Sequence, residues 1–381
     1  MHRAREQALA FVVAEGVDAE AGAGGHLTDA DAQGAGVVAM PGSVGLDLER
    51  GPARNVVSMT STEQQPIGSP FSAASTAQDV TAGLDLSGRN AVVTGGYSGL
   101  GLETTRVLVA AGARVVVPAR RPEAARAALD GVGGDVEVVA MDLADLGSVR
   151  AAAAHIRASL TTLDLLFATA GVMATPERRV GPGWEGQLAA NHFGHFALTC
   201  ELYPLLAAGD GARVVVYSSA GHGITDIRRH DPHFRTGYDK WQAYGQSKTA
   251  NVLFAVHLDA LGRGDGVRAF ALHPGAIITG LQRDMTLQEQ IDRGWVDEHG
   301  NVVGEGFKSP SQGAATGLWA ATSPLLADRG GLYLEDCEVA RLHDPASPES
   351  GGVRPYAVDP EAAARLWEVS VAATGAAPIG R

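Results

Sequence analysis

The segment AYGQSK, residues 243–248, sets Lys248 four residues after Tyr244. The chain holds 27 Arg against 3 Lys, so a generic surface cation here is an Arg. A Lys in that company marks a position where a planar guanidinium fails and a compact ammonium is needed. With 7 Tyr and 3 Lys in 381 residues, the spacing arises by chance in about one such chain in twenty. The pair gains meaning only with a cofactor site and a further polar group beside it.

On a helix, residues four apart share one face. A Tyr phenol titrates at about 10 in solution and is a poor base at neutral pH. A fixed ammonium beside it stabilises phenolate, lowers that value and can also hold a ribose hydroxyl. Ser219, in VVYSSAGH, can polarise a substrate carbonyl while Tyr244 donates the proton, and the residue pattern hardly separates it from Ser218. Asn191, in NHFGHFALT, opens a helix beneath the same edge. There it orients Lys248 through a water, or serves only as a helix cap.

These residues need a frame, and from Leu84 onward the pattern supplies one. Short apolar or β-branched runs recur at residues 90–94, 114–117, 136–141, 163–168, 213–218 and 267–272, with Ala-rich stretches of helix length between them. Strands separated by helices predict a parallel sheet covered on both faces. Right-handed crossovers make it doubly wound: a single α/β Rossmann-type domain over residues 84–381.

Directly after the first run comes TGGYSGLG, residues 94–101, and then a helical pattern. Gly95, Gly99 and Gly101 on a strand-to-helix turn let the backbone approach a pyrophosphate whose charge meets the helix N-terminus. Tyr97, Ser98 and Leu100 belong to the same cofactor-facing loop. No Lys closes the loop, which excludes an ATP or GTP phosphate loop. The second run ends at Ala119, where a carboxylate would bind the ribose of NAD, and Arg120 and Arg121 follow. A guanidinium suits a 2′-phosphate, so NADP is expected, with NAD as the alternative. Asp142, ending the third run in AMDLAD, either accepts a hydrogen bond from the adenine amino group or caps the next helix.

Residues 1–83 are rich in Gly, Ala, Asp and Ser without sustained periodicity and read as a low-complexity, largely disordered extension. Met59 opens a more protein-like stretch and is a second candidate start of translation. The opening MHRAREQALAFVVAEG imitates a signal peptide only faintly, because Glu15 ends the apolar stretch early. A net charge of −13 argues against nucleic acid or anionic membranes as partners. No run approaches the ~20 apolar residues of a membrane span. Cys200 and Cys337, far apart in sequence, fit a reducing compartment, so the expected location is the cytoplasm. The composition is compatible with a homo-oligomer.

The ordered motifs TGGYSGLG, MDL, NHFGHF, YSSAG, YGQSK and HPGAIIT make residues 84–373 resemble the short-chain dehydrogenase/reductase family. FKSPSQGAA and GGLYLEDC look like its subgroup of retinol-dehydrogenase-like and WW-domain-oxidoreductase-like proteins. The residues of the pocket-forming segments hint at an apolar small molecule, and the resemblance implies an oxidoreductase interconverting an alcohol and a carbonyl. In it Tyr244 is the proton donor and acceptor, Lys248 its helper, Ser219 rather than Ser218 the polarising hydroxyl, and Asn191 the fourth member. It also implies Ile277 and Thr279 near the nicotinamide carboxamide, and Leu143, Ala170 and Gly171 against the cofactor. One departure is ATAG, residues 168–171, where the family usually has two Asn before Ala-Gly; local packing is what this puts in question.

Two long segments are expected to wall the substrate pocket. One lies between Ser219 and Tyr244, with His222, Arg228, Arg229, His230, His233, Phe234, Tyr238 and Trp241; the other is 281–308. His230 and His233 lack the further ligand pattern of a metal site. The competing readings are an NAD-bound epimerase, which needs a larger C-terminal region, and a redox-sensing NADP-binding regulator without turnover, in which the Tyr–Lys pair is generally lost.

Overall fold

The computed structural model describes residues 64–346 and 351–379. Eight strands form one sheet in the order β10-β9-β8-β7-β4-β1-β2-β3. They are β1 Asn90–Val93, β2 Arg114–Ala119, β3 Val136–Ala140, β4 Leu165–Ala168, β7 Arg213–Tyr217, β8 Arg268–His273, β9 Leu332–Glu335 and β10 Glu338–Val339. Every pairing is parallel except that of β9 with β10. A separate hairpin pairs β5 Arg179–Val180 with β6 Trp184–Glu185.

The strands are apolar on both faces because helices cover both. Ala91 and Val93 join Val115, Val117, Val215 and Phe270 in one layer, whereas Val92 joins Val116, Val214 and Val216 in the other. That period-two split with burial on both sides is what a crossover-connected parallel sheet demands. The first layer is closed by α2 Gly99–Ala110 and α8 Pro310–Thr322; the second is closed by α4 Leu146–Ser159, the helical run 186–208 (α5) and α6 Lys240–Gly262. Short helices α1 Ala77–Thr81, α3 Pro122–Leu129 and α7 Leu287–Asp292 lie at the periphery. The last helix, α9 Pro360–Thr374, covers α6, with Trp367 stacked on Phe254 at a centroid distance of 6.0 Å.

Strand order reverses between β1 and β4, the switch point beyond which open α/β sheets bind ligands at the carboxyl ends of their strands. The doubly wound Rossmann-type sheet expected from the sequence is therefore present. The β9–β10 edge and the β5–β6 hairpin were not among the predicted runs; the hairpin strands are two residues each, too short for periodicity to register.

Residues 64–83, grouped by composition with the extension, pack on the domain instead. Gln64 is buried, its amide N–H groups reaching the Tyr333 and Ala340 carbonyl oxygens (2.7 and 2.6 Å) while its oxygen accepts from the Tyr333 N–H (3.1 Å). The Glu338 carboxylate accepts from the N–H groups of Ile67, Gly68 and Ser69. Hydrogen bonds to a sheet edge hold this strap, which apolar patterning could not reveal. The remaining extension and the Met59 start lie outside the described residues.

Candidate active site

β1 runs into the glycine turn, where Gly95 and Gly99 have φ of +66° and +50°, a region strained for side chains. At Gly101 the reason is space: a Cβ there would sit 2.4 Å from the Gly95 carbonyl oxygen. Ser98, at the N-cap of α2, makes no side-chain capping bond among the described residues, which leaves first-turn N–H groups for an anion. Leu100 reaches the main cavity, and Tyr97 packs partly buried on the α2 layer. The turn therefore suits a dinucleotide pyrophosphate.

The ATAG departure is bridged from β1. The Thr94 hydroxyl accepts from the N–H groups of Thr169 (3.0 Å) and Ala170 (3.1 Å), tying the β4 end to the glycine turn. His195 lies against the same hydroxyl at 2.9 Å, and its Nδ1 donates to the Asn191 carbonyl oxygen (3.0 Å). Burial holds that imidazole down at about 4, so it is neutral and Thr94 donates to Nε2.

Tyr244 and Lys248 lie on α6, whose N-cap Asp239 accepts from the Trp241 and Gln242 N–H groups (3.0 and 2.7 Å). Each is 4% exposed. The Ser219 hydroxyl lies beside the Tyr244 ring, both around the place a Gly221 Cβ would take, and it accepts from the Gly221 N–H at 3.0 Å. A Cβ on Gly221 would lie 2.7 Å from the Tyr244 ring, so a glycine is needed for that approach. Ser218 turns away and donates to the Lys248 carbonyl oxygen (2.8 Å), which separates the two serines by geometry.

Lys248 Nζ donates to the Tyr217 carbonyl oxygen at 3.0 Å and lies 5.7 Å from the Tyr244 ring centroid. Burial pushes the ammonium down to about 8 and the phenol up to about 12, with the neighbouring Ser219 hydroxyl opposing the latter. The sequence reading expected a lowered phenol. The direction reverses because the ring is desolvated and the ammonium bonds to a carbonyl oxygen instead of the phenol oxygen. Near neutral pH the site thus holds a protonated Tyr244 beside a charged Lys248.

Asn191 does not begin a helix. It lies within the π-helical stretch Ala189–Phe193, after the first turn of α5, a widened turn of a type common at functional sites. Its amide N–H groups reach the Val172 carbonyl oxygen and Ser247 Oγ (both 2.9 Å), and its oxygen accepts from the Val172 N–H (2.8 Å). A Cβ on Gly171 would lie 3.2 Å from Asn191 Oδ1 and 3.7 Å from Lys248 Nζ, so the three residues adjoin.

Gly171, Ser219, Tyr244, Lys248, Leu100, Ile277 and Thr279 line one cavity at the carboxyl edge of the sheet. Thr279 also packs against Gly99, and Ala170 against Gly95. Asp142, Leu143 and Arg120 stand apart from that cavity, at the ends of β3 and β2. Asp142 Oδ1 accepts from the Ala144 N–H (2.9 Å), but Asp142 is not the cap of the next helix, whose N-cap is Asp145. Arg120 is exposed.

The segment 281–308 does supply the opposite wall. Trp295 and Phe307 line it, and ring contacts run from Tyr244 to Trp241 (6.4 Å), on to Trp295 (6.5 Å) and on to Phe307 (6.4 Å), all near perpendicular. Arg293 stacks over Trp241 at 4.0 Å, and a Lys240–Glu289 ion pair ties α7 to α6. Of the eight side chains named between Ser219 and Tyr244, only Trp241 lines the cavity. Arg229 and His230 are exposed, and the rest pack elsewhere: Arg228 stacks on Phe234 at 4.3 Å, Tyr238 donates to the Thr175 carbonyl oxygen at 2.9 Å, and His233 meets the Glu185 N–H at 3.4 Å.

Lys308, the third lysine, lines the cavity without being among the expected site residues. Its Nζ pairs with Asp336 at 2.7 Å along the cavity, and its N–H donates to the Ala276 carbonyl oxygen at 2.8 Å. The same rarity that drew attention to Lys248 was the available signal.

The family model for short chain dehydrogenases matches residues 89–290. A probable oxidoreductase of Streptomyces lividans is 48% identical over 293 residues, covering 75% of this chain and 97% of its own. Mouse retinol dehydrogenase 12 is 36% identical, covering 76% of this chain and 87% of its own. A crystal structure from Mycobacterium paratuberculosis aligns with a TM-score of 0.60 at 31% identity, covering 80% and 98% of the two chains. A Pseudomonas aeruginosa RhlG/NADP complex aligns at 0.52 and 26% identity, covering 66% and 95%. Among the described residues no helix is long and apolar enough to cross a membrane. With this fold, glycine turn and set of relatives, the chain belongs to the short-chain dehydrogenase/reductase family, on its retinol-dehydrogenase-like side, and is an oxidoreductase acting on CH-OH groups with NAD(P).

Proposed function

We propose that the protein is an NADP-linked cytoplasmic enzyme interconverting an alcohol and a carbonyl on an apolar small molecule, with Tyr244 as general acid and base. The observation that carries this reading is the contact of Ser219, Tyr244 and Lys248 at the cavity beside the glycine turn. Gly95, Tyr97, Ser98, Gly99, Leu100 and Gly101 would hold the pyrophosphate side of the cofactor, with Ile277 and Thr279 beside its nicotinamide. Asp142 and Leu143 would meet the adenine, and Ala170 and Gly171 the ribose side. Ala119 in place of a carboxylate, with exposed Arg120 after it, supports NADP, as does the likeness to the Pseudomonas aeruginosa NADP complex.

The nicotinamide, when bound, supplies or accepts the hydride. Ser219 and Tyr244, side by side at the cavity, would offer two hydroxyls to one carbonyl oxygen. Tyr244, kept protonated by burial, gives its proton to the oxygen that reduction leaves negative. The Lys248 ammonium stabilises the phenolate that remains, and Asn191 fixes the backbone at Val172 beside it. The aromatic wall of Trp241, Trp295 and Phe307 supports an apolar substrate.

The test follows NADPH absorbance with a panel of apolar aldehydes and ketones for the natural protein and Tyr244→Phe. Turnover in the former and a loss of roughly 10²–10⁴-fold in the latter, with NADPH affinity kept, is expected. Tight NADPH binding without turnover on any carbonyl would instead favour the redox-sensing regulator.

A further inference from the structure

His222 follows Ser219 by three residues, in the turn Ala220–Ile224, and is 2% exposed. It does not line the cavity, yet it is bonded on every side. Its Nδ1 donates to the Ser219 carbonyl oxygen at 2.7 Å, and its backbone N–H reaches the same oxygen at 3.1 Å. Nε2 accepts from the Arg354 N–H at 3.1 Å. The His222 carbonyl oxygen accepts from Tyr356 (2.7 Å) and from Thr249 (3.1 Å), the residue after Lys248. Tyr333, whose backbone Gln64 grips, packs on the ring at a centroid distance of 4.8 Å.

These partners fix the tautomer. A carbonyl oxygen accepts only from a protonated Nδ1, and an N–H donates only to a bare Nε2. Burial holds the imidazole down at about 4, so this neutral form persists at neutral pH. Nδ1–H faces both the Ser219 carbonyl oxygen and the Tyr333 hydroxyl (3.3 Å), and Nε2 accepts from the Arg354 N–H, so both ring nitrogens are engaged.

We propose that His222 is a positioning residue for Ser219: by holding the Ser219 carbonyl oxygen from ring and backbone at once, it sets where the Ser219 hydroxyl meets Tyr244, and it ties that hydroxyl to β9 and to residues 353–357 of the C-terminal segment. The backbone of Ser219 is extended (φ −167°, ψ 160°) and its hydroxyl caps the turn that carries His222. A shift of the carbonyl therefore moves the hydroxyl as well. The inference rests on the role proposed for Ser219, and the test keeps the two apart.

The full-length protein is compared with His222→Gln and His222→Asn, each alone and combined with Ser219→Ala. An Asn amide N–H falls near the place of Nδ1–H and keeps the bond to Ser219; a Gln amide oxygen falls near Nε2 and keeps only the bond to Arg354. The Gln variant is expected to lose roughly 10-fold in kcat with NADPH affinity unchanged, and the Asn variant at most about 3-fold. In the Ser219→Ala background both are expected to cost less than about 2-fold, because the group they position is gone. An additive loss in that background, or equal losses for Gln and Asn that follow their melting temperatures, would show a core histidine and overturn the proposal. If Gln does not fold, the Asn variant decides: keeping the bond to Ser219, it must keep kcat within about 3-fold, and a larger loss at an unchanged melting temperature overturns the proposal. Ser219→Ala with undiminished turnover would sink the Ser219 reading itself, an outcome distinct from additivity.

Discussion

On the cofactor side of the cavity, Gly95, Gly99, Gly101, Ser219, Tyr244 and Lys248 occupy positions where the backbone leaves little choice. On the facing side, Trp241, Trp295, Phe307 and the Lys308–Asp336 pair are held by contacts between segments up to about a hundred residues apart. A Cβ 2.4 Å from a carbonyl oxygen forbids anything but glycine at position 101, whatever the substrate. Nothing comparable forbids another large apolar side chain at Trp295, which stands partly exposed and contributes a ring to a wall. The first kind of constraint is local and leaves a motif; the second is collective and leaves only a composition. On the proposed function, chemistry belongs to the constrained side and selectivity to the facing wall.

The largest break expected in that comparison is Lys248→Arg. Arg is a good helix former and keeps the charge, so α6 persists and the melting temperature changes little. Lys248 is 4% exposed and its Nζ bonds to the Tyr217 carbonyl oxygen, a space that a planar fork cannot enter without displacing Tyr244 or Gly171. Turnover should fall by roughly 10²–10⁴-fold. Steady-state rates together with thermal melting check it. A stable, active variant would mean that the constrained side is more forgiving than its geometry implies.

That division also explains what the sequence made legible. Five of the predicted strands were readable because both faces of each are buried, the edge strand β3 because valines recur along it, and the glycine turn because strand, glycines and helix come consecutively. Ser219 was distinguished from Ser218 only by family likeness, since neighbouring serines at a strand end differ in which way they turn and not in type. The wall between Ser219 and Tyr244 misled: its histidines and arginines look like pocket residues, yet His222 bonds inward and Arg228 stacks on Phe234. The segment 281–308 was identified as a wall by length alone, without Trp295 or Phe307 being singled out. Gln64 and Glu338 bind backbone groups, which no hydrophobic period records.

Arg120 tests the cofactor side at the point where geometry does not fix it, since its side chain is exposed beyond β2. NADPH should bind about tenfold tighter than NADH, equivalent to roughly 1.4 kcal/mol, a modest value for one charge-assisted phosphate contact. Arg120→Ala should remove most of that preference by weakening NADPH alone. Fluorescence titration of both cofactors against both proteins measures it. Equal affinities in the natural protein would assign Arg120 to solvent.

The smallest effect is expected on the wall, at Trp295→Ala. The ring makes perpendicular contacts with Trp241 and Phe307, and contacts of this kind contribute about 0.5–1.5 kcal/mol beyond burial. A substrate large enough to touch the wall loses that surface equally in its ground and transition states. Its KM should therefore rise about fivefold with kcat unchanged, the signature of lost uniform binding. A small aldehyde that reaches only Ser219 and Tyr244 should keep both constants within about twofold. Kinetics with a short and a long aldehyde separate these outcomes. A fall in kcat for the short one would show that the wall also positions Tyr244, through the Trp241 ring 6.4 Å away, and the division between the two sides would have to be redrawn.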